Sequence, residues 1–298
     1  MTRTGYLAAE GSEADLRVEL GDTIVAEHGR LFIADTDVEA AWAANIWRNP
    51  VELPIVSIKD AAAQLRNLQR NWALYAPEHF RRAKLIEENL PHVSAKPLVW
   101  PTPAPAAPLG SWTLLAPDRL LASTVCSSPV PNGEWQFVED REGPPNRAYL
   151  KLWETLTRLG QKPAPGELCL DLGSSPGGWT FVLAGLGARV VAIDKAPLAP
   201  AVAAMPGVTW RQGSAFAPES LPAGPIDWLF SDIICYPARL LTLVRRVLES
   251  GNVRNFVCTL KFQGDTDHET ARAFAAIPGA RLFHLHHNKH ELTFALLR

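Results

Sequence analysis

From residue 167 to the C-terminus, apolar runs of strand length alternate with stretches of helical period. The runs predict strands over Leu168–Leu172, Arg189–Ile193, Val208–Arg211, Ile226–Ser231, Phe256–Phe262, Arg281–His286 and Leu292–Leu297. Pro237–Leu248 and Asp267–Ala276 carry the clearest helical period among them. Such alternation builds a doubly wound parallel sheet, because each strand must cross over a helix before it can pair in the same direction. The last two runs are separated only by His287-Asn-Lys-His-Glu291, too short for a crossover helix, so the final strand is expected to return antiparallel. The predicted fold class is α/β, Rossmann-like, with six parallel strands plus one antiparallel.

The N-terminal third reads differently. Leu16-Arg-Val-Glu-Leu, Thr23-Ile-Val-Ala-Glu and Arg30-Leu-Phe-Ile-Ala are strand-like and are separated by Gly21-Asp22 and His28-Gly29, which predicts a small β-meander. Helices are expected over Val38–Trp47, Ala61–Tyr75 and Glu78–Leu90, where the first two carry Ala, Leu and Trp at helical spacing. Pro97 to Gly110 holds five prolines in fourteen residues, a composition that favours an extended, hydrogen-bond-poor connector. Short strands over Ser111–Leu115, Arg119–Cys126 and Trp135–Val138 follow, and Asn146 is placed to cap a helix running to about Leu159. These readings divide the chain into an α+β N-terminal accessory domain over 1–96, a proline-rich linker with a small β-unit over 97–142, and the α/β domain over 143–298. Arg66, Arg70, Arg81, Arg82 and Lys84 form either an RNA-facing patch or a solvated helix surface, the second being the commoner meaning of such runs.

With 298 residues, 47% of them hydrophobic, the chain can bury the cores of about two domains. No apolar run is long enough to span a bilayer, and Met1-Thr-Arg-Thr-Gly-Tyr lacks the apolar core of a signal peptide, so a cytoplasmic protein with no membrane partner is expected. Cys126, Cys169, Cys235 and Cys258 are far apart and show no metal-type spacing. Buried reduced thiols are expected, with neither a disulfide nor a zinc site. A net charge of −2 assigns any phosphate contact to local patches, not to a generally basic surface.

The densest chemical signal is Glu167-Leu-Cys-Leu-Asp-Leu-Gly-Ser-Ser-Pro-Gly-Gly-Trp-Thr180. It reads as a buried strand ending near Asp171 and breaking into a turn where Gly173, Gly177 and Gly178 let a ligand approach the backbone. Pro176 suits a helix start. A dinucleotide fingerprint would read Gly-x-Gly-x-x-Gly, whereas this turn is Gly-Ser-Ser-Pro-Gly-Gly, a better match to an S-adenosyl-L-methionine pocket. In open α/β sheets the ligand lies at the carboxyl ends of the strands. Those ends are occupied by Asp171, Asp194, Ser214 and Asp232. A carboxylate at Asp194 can accept both hydroxyls of a ribose, and Ser214 stands where a group would contact an adenine amino group, which a serine does weakly.

Four ionisable residues fall where this fold gathers side chains around the methyl group. Lys151 lies on the helix before the sheet, Asp232 ends the fourth strand, Lys261 sits within the fifth in Cys258-Thr-Leu-Lys-Phe262, and Glu291 opens the last. A ribose hydroxyl is a poor acid, so methyl transfer to it needs a base at hand. Burial and a neighbouring ammonium favour the neutral form of a lysine, whereas carboxylates oppose that effect and fix geometry. Taken alone, Lys151 reads as an i, i+3 partner of Glu154 on a wet helix face. Only the ensemble promotes it.

Here the chain resembles the FtsJ-like RNA ribose 2′-O-methyltransferases, which use a Lys-Asp-Lys-Glu tetrad and have the six-plus-one sheet. The resemblance covers Gly143 to Arg298 through Asn146-Arg-Ala-Tyr-Leu-Lys-Leu, Asp171-Leu-Gly-Ser-Ser-Pro-Gly-Gly-Trp-Thr, Val208-Thr-Trp, Asp227-Trp-Leu-Phe-Ser-Asp232, Leu260-Lys261 and His290-Glu-Leu-Thr. It implies Lys261 as general base, Asp232 and Glu291 as its charged partners, and Lys151 as the second lysine. It also implies a cofactor set of Asn146, Asp171, Gly173, Ser175, Pro176, Gly177, Gly178, Trp179, Asp194, Ser214 and Asp232. The cofactor implied is S-adenosyl-L-methionine, with a direct displacement that needs no metal. The partner implied is RNA, with a cytidine of 23S rRNA as the expected target. Members acting on large-subunit rRNA carry a longer N-terminal region with an RNA-binding THUMP-type module, of which Trp112 to Val138 reads as a shortened remnant. A different RNA, a small-molecule acceptor, or an RNA-binding protein without activity are the competing readings.

Two further features receive the plainer interpretation. His284, His286, His287 and His290 invite a metal site, but Glu291 is the one nearby carboxylate that could complete a shell and it already has a role. The histidines could instead stack on a flipped base. Trp179 reads as core packing more than as a base platform.

Overall fold

The computed structural model describes residues 3–217, 222 and 224–298. It separates into one unit of Met1–Leu98 with Ala104–Gln136 and a second of Val99–Pro103 with Phe137–Arg298. Among the described residues, no helix is long and apolar enough to cross a membrane.

The first unit contains two sheets. One is antiparallel, in the order Ile24–His28, Leu31–Ala34, Thr4–Ala8, Ala43–Arg48 and Val125–Cys126. The other runs Val51–Pro54, Arg119–Ser123, Gly110–Ala116 and Trp72–Leu74. Three expectations are corrected here. Leu16 to Leu20 belongs to a helix, Glu13–Leu20, because Leu16 and Leu20 are buried one turn apart while the intervening Val18 is 55% exposed, so the helical period fits burial better than alternation. Residues 38–47 do not form a helix: Ala43–Arg48 is a strand paired with Thr4–Ala8. The helix expected to reach Tyr75 is Ile58–Leu68, opened by Ser57 accepting from the Asp60 amide and stopped at extended Gln69, after which Trp72–Leu74 pairs with Gly110–Ala116.

The stretch expected as a proline-rich linker and small β-unit over 97–142 takes part in the second sheet. Its strands Gly110–Ala116 and Arg119–Ser123 fill the middle of the second sheet, supplying partners to two edges that would otherwise present unpaired backbone. Trp112, Leu114, Leu120 and Ala122 share a core with Ala61, Leu65, Trp72 and Ile86. Trp135–Val138 forms no strand. Of the basic residues, Arg66 donates to the Asn89 carbonyl at 2.6 Å and Lys84 pairs with Glu87 at 2.7 Å.

The second unit begins with α1 (Tyr149–Leu159) and continues β1 (Leu168–Leu172), α2 (Gly178–Gly185), β2 (Arg189–Asp194), α3 (Pro200–Ala203), β3 (Val208–Gln212), β4 (Ile226–Ser231), α4 (Pro237–Ser250), β5 (Val253–Lys261), α5 (His268–Ala275), β6 (Ala280–Phe283) and β7 (Glu291–Leu296). Strand order is β3-β2-β1-β4-β5-β7-β6. β7 runs antiparallel to both its neighbours and the remaining pairs are parallel, which is the six-plus-one sheet. Central strands are covered on both faces, so Leu170, Trp228, Phe230, Phe256 and Cys258 are all fully buried or nearly so. The order reverses between β1 and β4, where doubly wound sheets open a crevice at their carboxyl edge. β6 ends at Phe283, three residues before the expected His286, because the chain turns there to meet α1.

Candidate active site

The carboxyl edge of the sheet opens into a cavity of about 490 Å³. β1 supplies Asp171, followed by Gly173, Ser174 and Ser175. Asp194 ends β2, Gly213 to Phe216 follow β3, Asp232 follows β4, and Lys261 ends β5. Asn146, Gly178 and Trp179 complete the wall from the α1 and α2 side. Pro176 and Gly177 are not among the lining residues. They shape the turn instead, with the Pro176 carbonyl accepting from Ala199 at 2.9 Å and Gly177 held at φ +115° against Val202.

The glycines are fitted closely. A Cβ on Gly173 (φ +76°) would lie 2.8 Å from the Ile233 side chain, and one on Gly178 would lie 2.2 Å from Asn146 Oδ1. That oxygen accepts the Ala148 amide at 3.1 Å just before α1 begins at Tyr149, so the expected cap acts three residues ahead of the helix. Trp179 is buried, donates Nε1 to the Ala148 carbonyl at 3.0 Å and meets Phe230 edge-on, confirming that it packs. Asp194 accepts the Ser175 amide on Oδ2 at 3.0 Å and the Ala196 amide on Oδ1 at 2.9 Å. Each carboxylate oxygen keeps a further lone pair for a ligand hydroxyl.

Asp171 is buried and accepts from Thr180 Oγ1 at 2.6 Å. Burial pushes its carboxyl up to about 7, and the nearby charges of Asp232 and Asp194 add to that effect. A cationic ligand would relieve this. Ser174 Oγ is buried in the same wall with no protein partner, an orphan polar atom that a ligand can satisfy. Two ligand-ready polar groups, a fitted glycine cradle and apolar Ile193, Ala215 and Phe216 make a donor set suited to an adenosine bearing a charged amino-acid tail.

Beside this cavity the four ionisable residues converge. Lys151 Nζ lies 3.4 Å from Asp232 Oδ1 and 2.5 Å from Glu291 Oε1, and Lys261 Nζ lies 3.1 Å from the same Asp232 oxygen. Lys261 also donates to the Asp232 backbone carbonyl. All four side chains are largely buried. Lys151 does not pair with Glu154, which is fully buried on α1 and bound to His286, His287 and Arg158 instead. The histidines are dispersed in role: His284 on the Lys289 carbonyl, His287 on Glu154, and His290 on Thr266.

Sequence reasoning missed Ser174, Lys195, Phe216, Ile233, Ile234 and Arg239 in the cavity wall. Most lie one or two residues beyond a named strand end, a signal that was present. Arg239, whose guanidinium sits 3.8 Å from the Phe216 ring centroid, reaches in from α4 and had no local signal.

The sheet order, the fitted glycine turn and the carboxyl-edge cavity define the second unit as a Rossmann-like methyltransferase fold. Residues 144–270 match the FtsJ-like methyltransferase family model. Ribosomal RNA large subunit methyltransferase M of Halorhodospira halophila is 39% identical over 157 residues, which cover 50% of this chain and 46% of that protein. The protein of the same name from Aromatoleum aromaticum is 30% identical over 172 residues, covering 50% and 44%. That from Xylella fastidiosa is 32% identical over 197 residues, covering 60% and 55%. The chain thus spans about half the length of these curated relatives. Among solved structures, the fibrillarin pre-rRNA processing protein of Methanococcus jannaschii aligns with 44% of this chain and 66% of its own, at 17% identity and a TM-score of 0.38.

Proposed function

We propose that the chain is an S-adenosyl-L-methionine-dependent RNA ribose 2′-O-methyltransferase that acts on large-subunit rRNA, with a cytidine of 23S rRNA as target. The observation that carries this reading is the Lys151, Asp232, Lys261 and Glu291 cluster at the edge of a cavity suited to the cofactor. When bound, the cofactor supplies an electrophilic methyl group. Asp194 and Ser214 would hold its nucleoside, and Asp171 with the Gly173 to Ser175 backbone its amino-acid part.

The amine form of Lys261 takes the proton of the acceptor hydroxyl at Nζ as that oxygen becomes nucleophilic. Its two contacts with Asp232 aim Nζ, and Lys151, itself paired with Glu291, meets the same Asp232 oxygen. Catalysis then comes mainly from orientation and base positioning. The relatives' names supply the RNA class.

Transfer of labelled methyl to total unmodified RNA, followed by mapping of the nucleotide, tests the reading. The expected product is one 2′-O-methylated nucleotide. Methylation that persists in a target carrying deoxyribose at that nucleotide would overturn it.

A further inference from the structure

Lys151, Glu154 and Arg158 stand at i, i+3 and i+7 on α1, one helix face, and all three meet the stretch from His284 to Glu291, which links β6 to the first residue of β7. Arg158 Nη1 donates to the His284 carbonyl at 2.8 Å and pairs with Glu154 Oε1 at 3.2 Å. Glu154, with no exposed surface, accepts the His286 amide at 2.9 Å on Oε1. On Oε2 it accepts the His287 amide at 3.1 Å and pairs with His287 Nδ1 at 2.9 Å. Lys151 closes the series on Glu291 Oε1, at the far end of the same segment. The segment is tied to itself by His284 Nε2 with the Lys289 carbonyl at 2.9 Å and by Asn288 Nδ2 donating to the Glu291 carbonyl at 3.0 Å.

A buried carboxylate is costly unless its lone pairs are filled, and apolar side chains would join a helix to a loop without that cost. Burial would raise the Glu154 carboxyl, but the His287 hydrogen bond and the Arg158 charge together hold it below the ordinary range. What the charged contact adds over an apolar one is register. Two successive amides must face one carboxylate, so a slide of the segment or a rotation of α1 breaks both bonds.

We infer that Glu154 is a positioning residue: by binding the His286 and His287 amides it locks the β6 to β7 segment to α1 and so sets the contact between Lys151 and Glu291. The inference rests on the proposed methyl transfer for its kinetic consequence alone.

The test compares wild type, Glu154→Gln and Glu154→Asp, each checked for folding by melting and for binding of S-adenosylhomocysteine by calorimetry. The first readout is acetylation of Lys151 by acetic anhydride, quantified by mass spectrometry against exposed Lys59, and needs no RNA. The second is steady-state methyl transfer to RNA. In Glu154→Gln, Lys151 acetylation is expected to rise about fivefold and kcat to fall about tenfold while the cofactor KM stays within about threefold. Glu154→Asp, which keeps the carboxylate, should recover part of both. Unchanged Lys151 acetylation in a folded Glu154→Gln overturns the inference, and Glu154→Asp is read the same way should the first variant not fold. Raised acetylation with unchanged kcat overturns it too. A wild-type protein that methylates no RNA would sink the reaction, while the acetylation arm would still decide the position of Lys151.

Discussion

Lys261 and Glu291 stand directly opposite one another where β5 pairs with β7. The relation follows from strand direction. In a parallel sheet every strand begins at the edge away from the crevice, so only a strand that returns antiparallel can bring its first residue to the crevice edge. Glu291 opens β7 and Lys261 closes β5, which is why the seventh strand places a carboxylate beside the Lys261 amine. Replacing Lys261 by Ala is expected to lower kcat by about 10²- to 10⁴-fold and to leave S-adenosylhomocysteine affinity nearly intact, measured by single-turnover transfer and calorimetry. Loss of binding instead would remove Lys261 from the role of base.

Asp171 makes the site sensitive to pH. Its carboxyl titrates near 7 in the folded chain against an ordinary 3.8, so the folded state binds the proton more tightly. Its contribution to stability is therefore fully present below about pH 3.8 and is lost as pH rises through about 7. Asp171→Asn should raise the melting temperature of the unliganded protein above pH 7 and flatten the slope between pH 5 and 8, compared by calorimetric scans. A cationic ligand favours the ionised form, so binding of S-adenosylmethionine near pH 6.5 should release a proton in the wild type and not in Asp171→Asn. Calorimetry in two buffers of different ionisation enthalpy reads that proton directly.

Asp194 is expected to act twice. Its two oxygens accept the Ser175 and Ala196 amides, so removing them leaves two backbone donors without their partner, at a cost of about 1–3 kcal/mol each where water cannot reach. Asp194→Ala should weaken S-adenosylhomocysteine binding by about 10- to 100-fold, or roughly 1.4–2.8 kcal/mol. Asp194→Asn, which keeps one acceptor, should fall between. Equal binding by all three proteins would take Asp194 out of the pocket.

How much of this was legible in the chain depended on how local each cause is. Strands of the second unit are short, buried and bounded by their own turns, so β1 to β5 fell close to the expected ranges, and the strand-end rule then located Asp171, Asp194, Ser214 and Asp232. Leu16, Val18 and Leu20 fit a period of two as well as one helical turn, and only the packing of the folded unit decides between them. Gly110–Ala116 was legible as a strand, expected over Ser111–Leu115, but its pairing with Trp72–Leu74 across the proline-rich stretch has no local signal, so the sheet it joins was not. The contacts of Glu154 are the extreme case: His286 and His287 lie 132 and 133 residues away. Nothing on α1 alone distinguishes that buried carboxylate from a solvated partner of Lys151.

Two glycines on α2 should respond to the same substitution in opposite directions. Gly178 opens the helix where an added Cβ would lie 2.2 Å from Asn146 Oδ1 and 3.4 Å from the Tyr149 amide nitrogen. The crowding falls on the start of α1, the helix that carries Lys151. Gly178→Ala is therefore expected to lower the melting temperature, with a cost of about 1–3 kcal/mol for overpacking, and to reduce both S-adenosylhomocysteine binding and turnover. Gly185, at the other end of the same helix, has no heavy atom within 4 Å of the position a Cβ would take and does not have a positive φ. Alanine there restricts the unfolded chain and meets nothing in the folded one, so Gly185→Ala should stabilise by about 0.5–1 kcal/mol. Chemical denaturation of the two variants beside wild type measures both signs, and a destabilised Gly185→Ala would overturn the expected gain at this helix end.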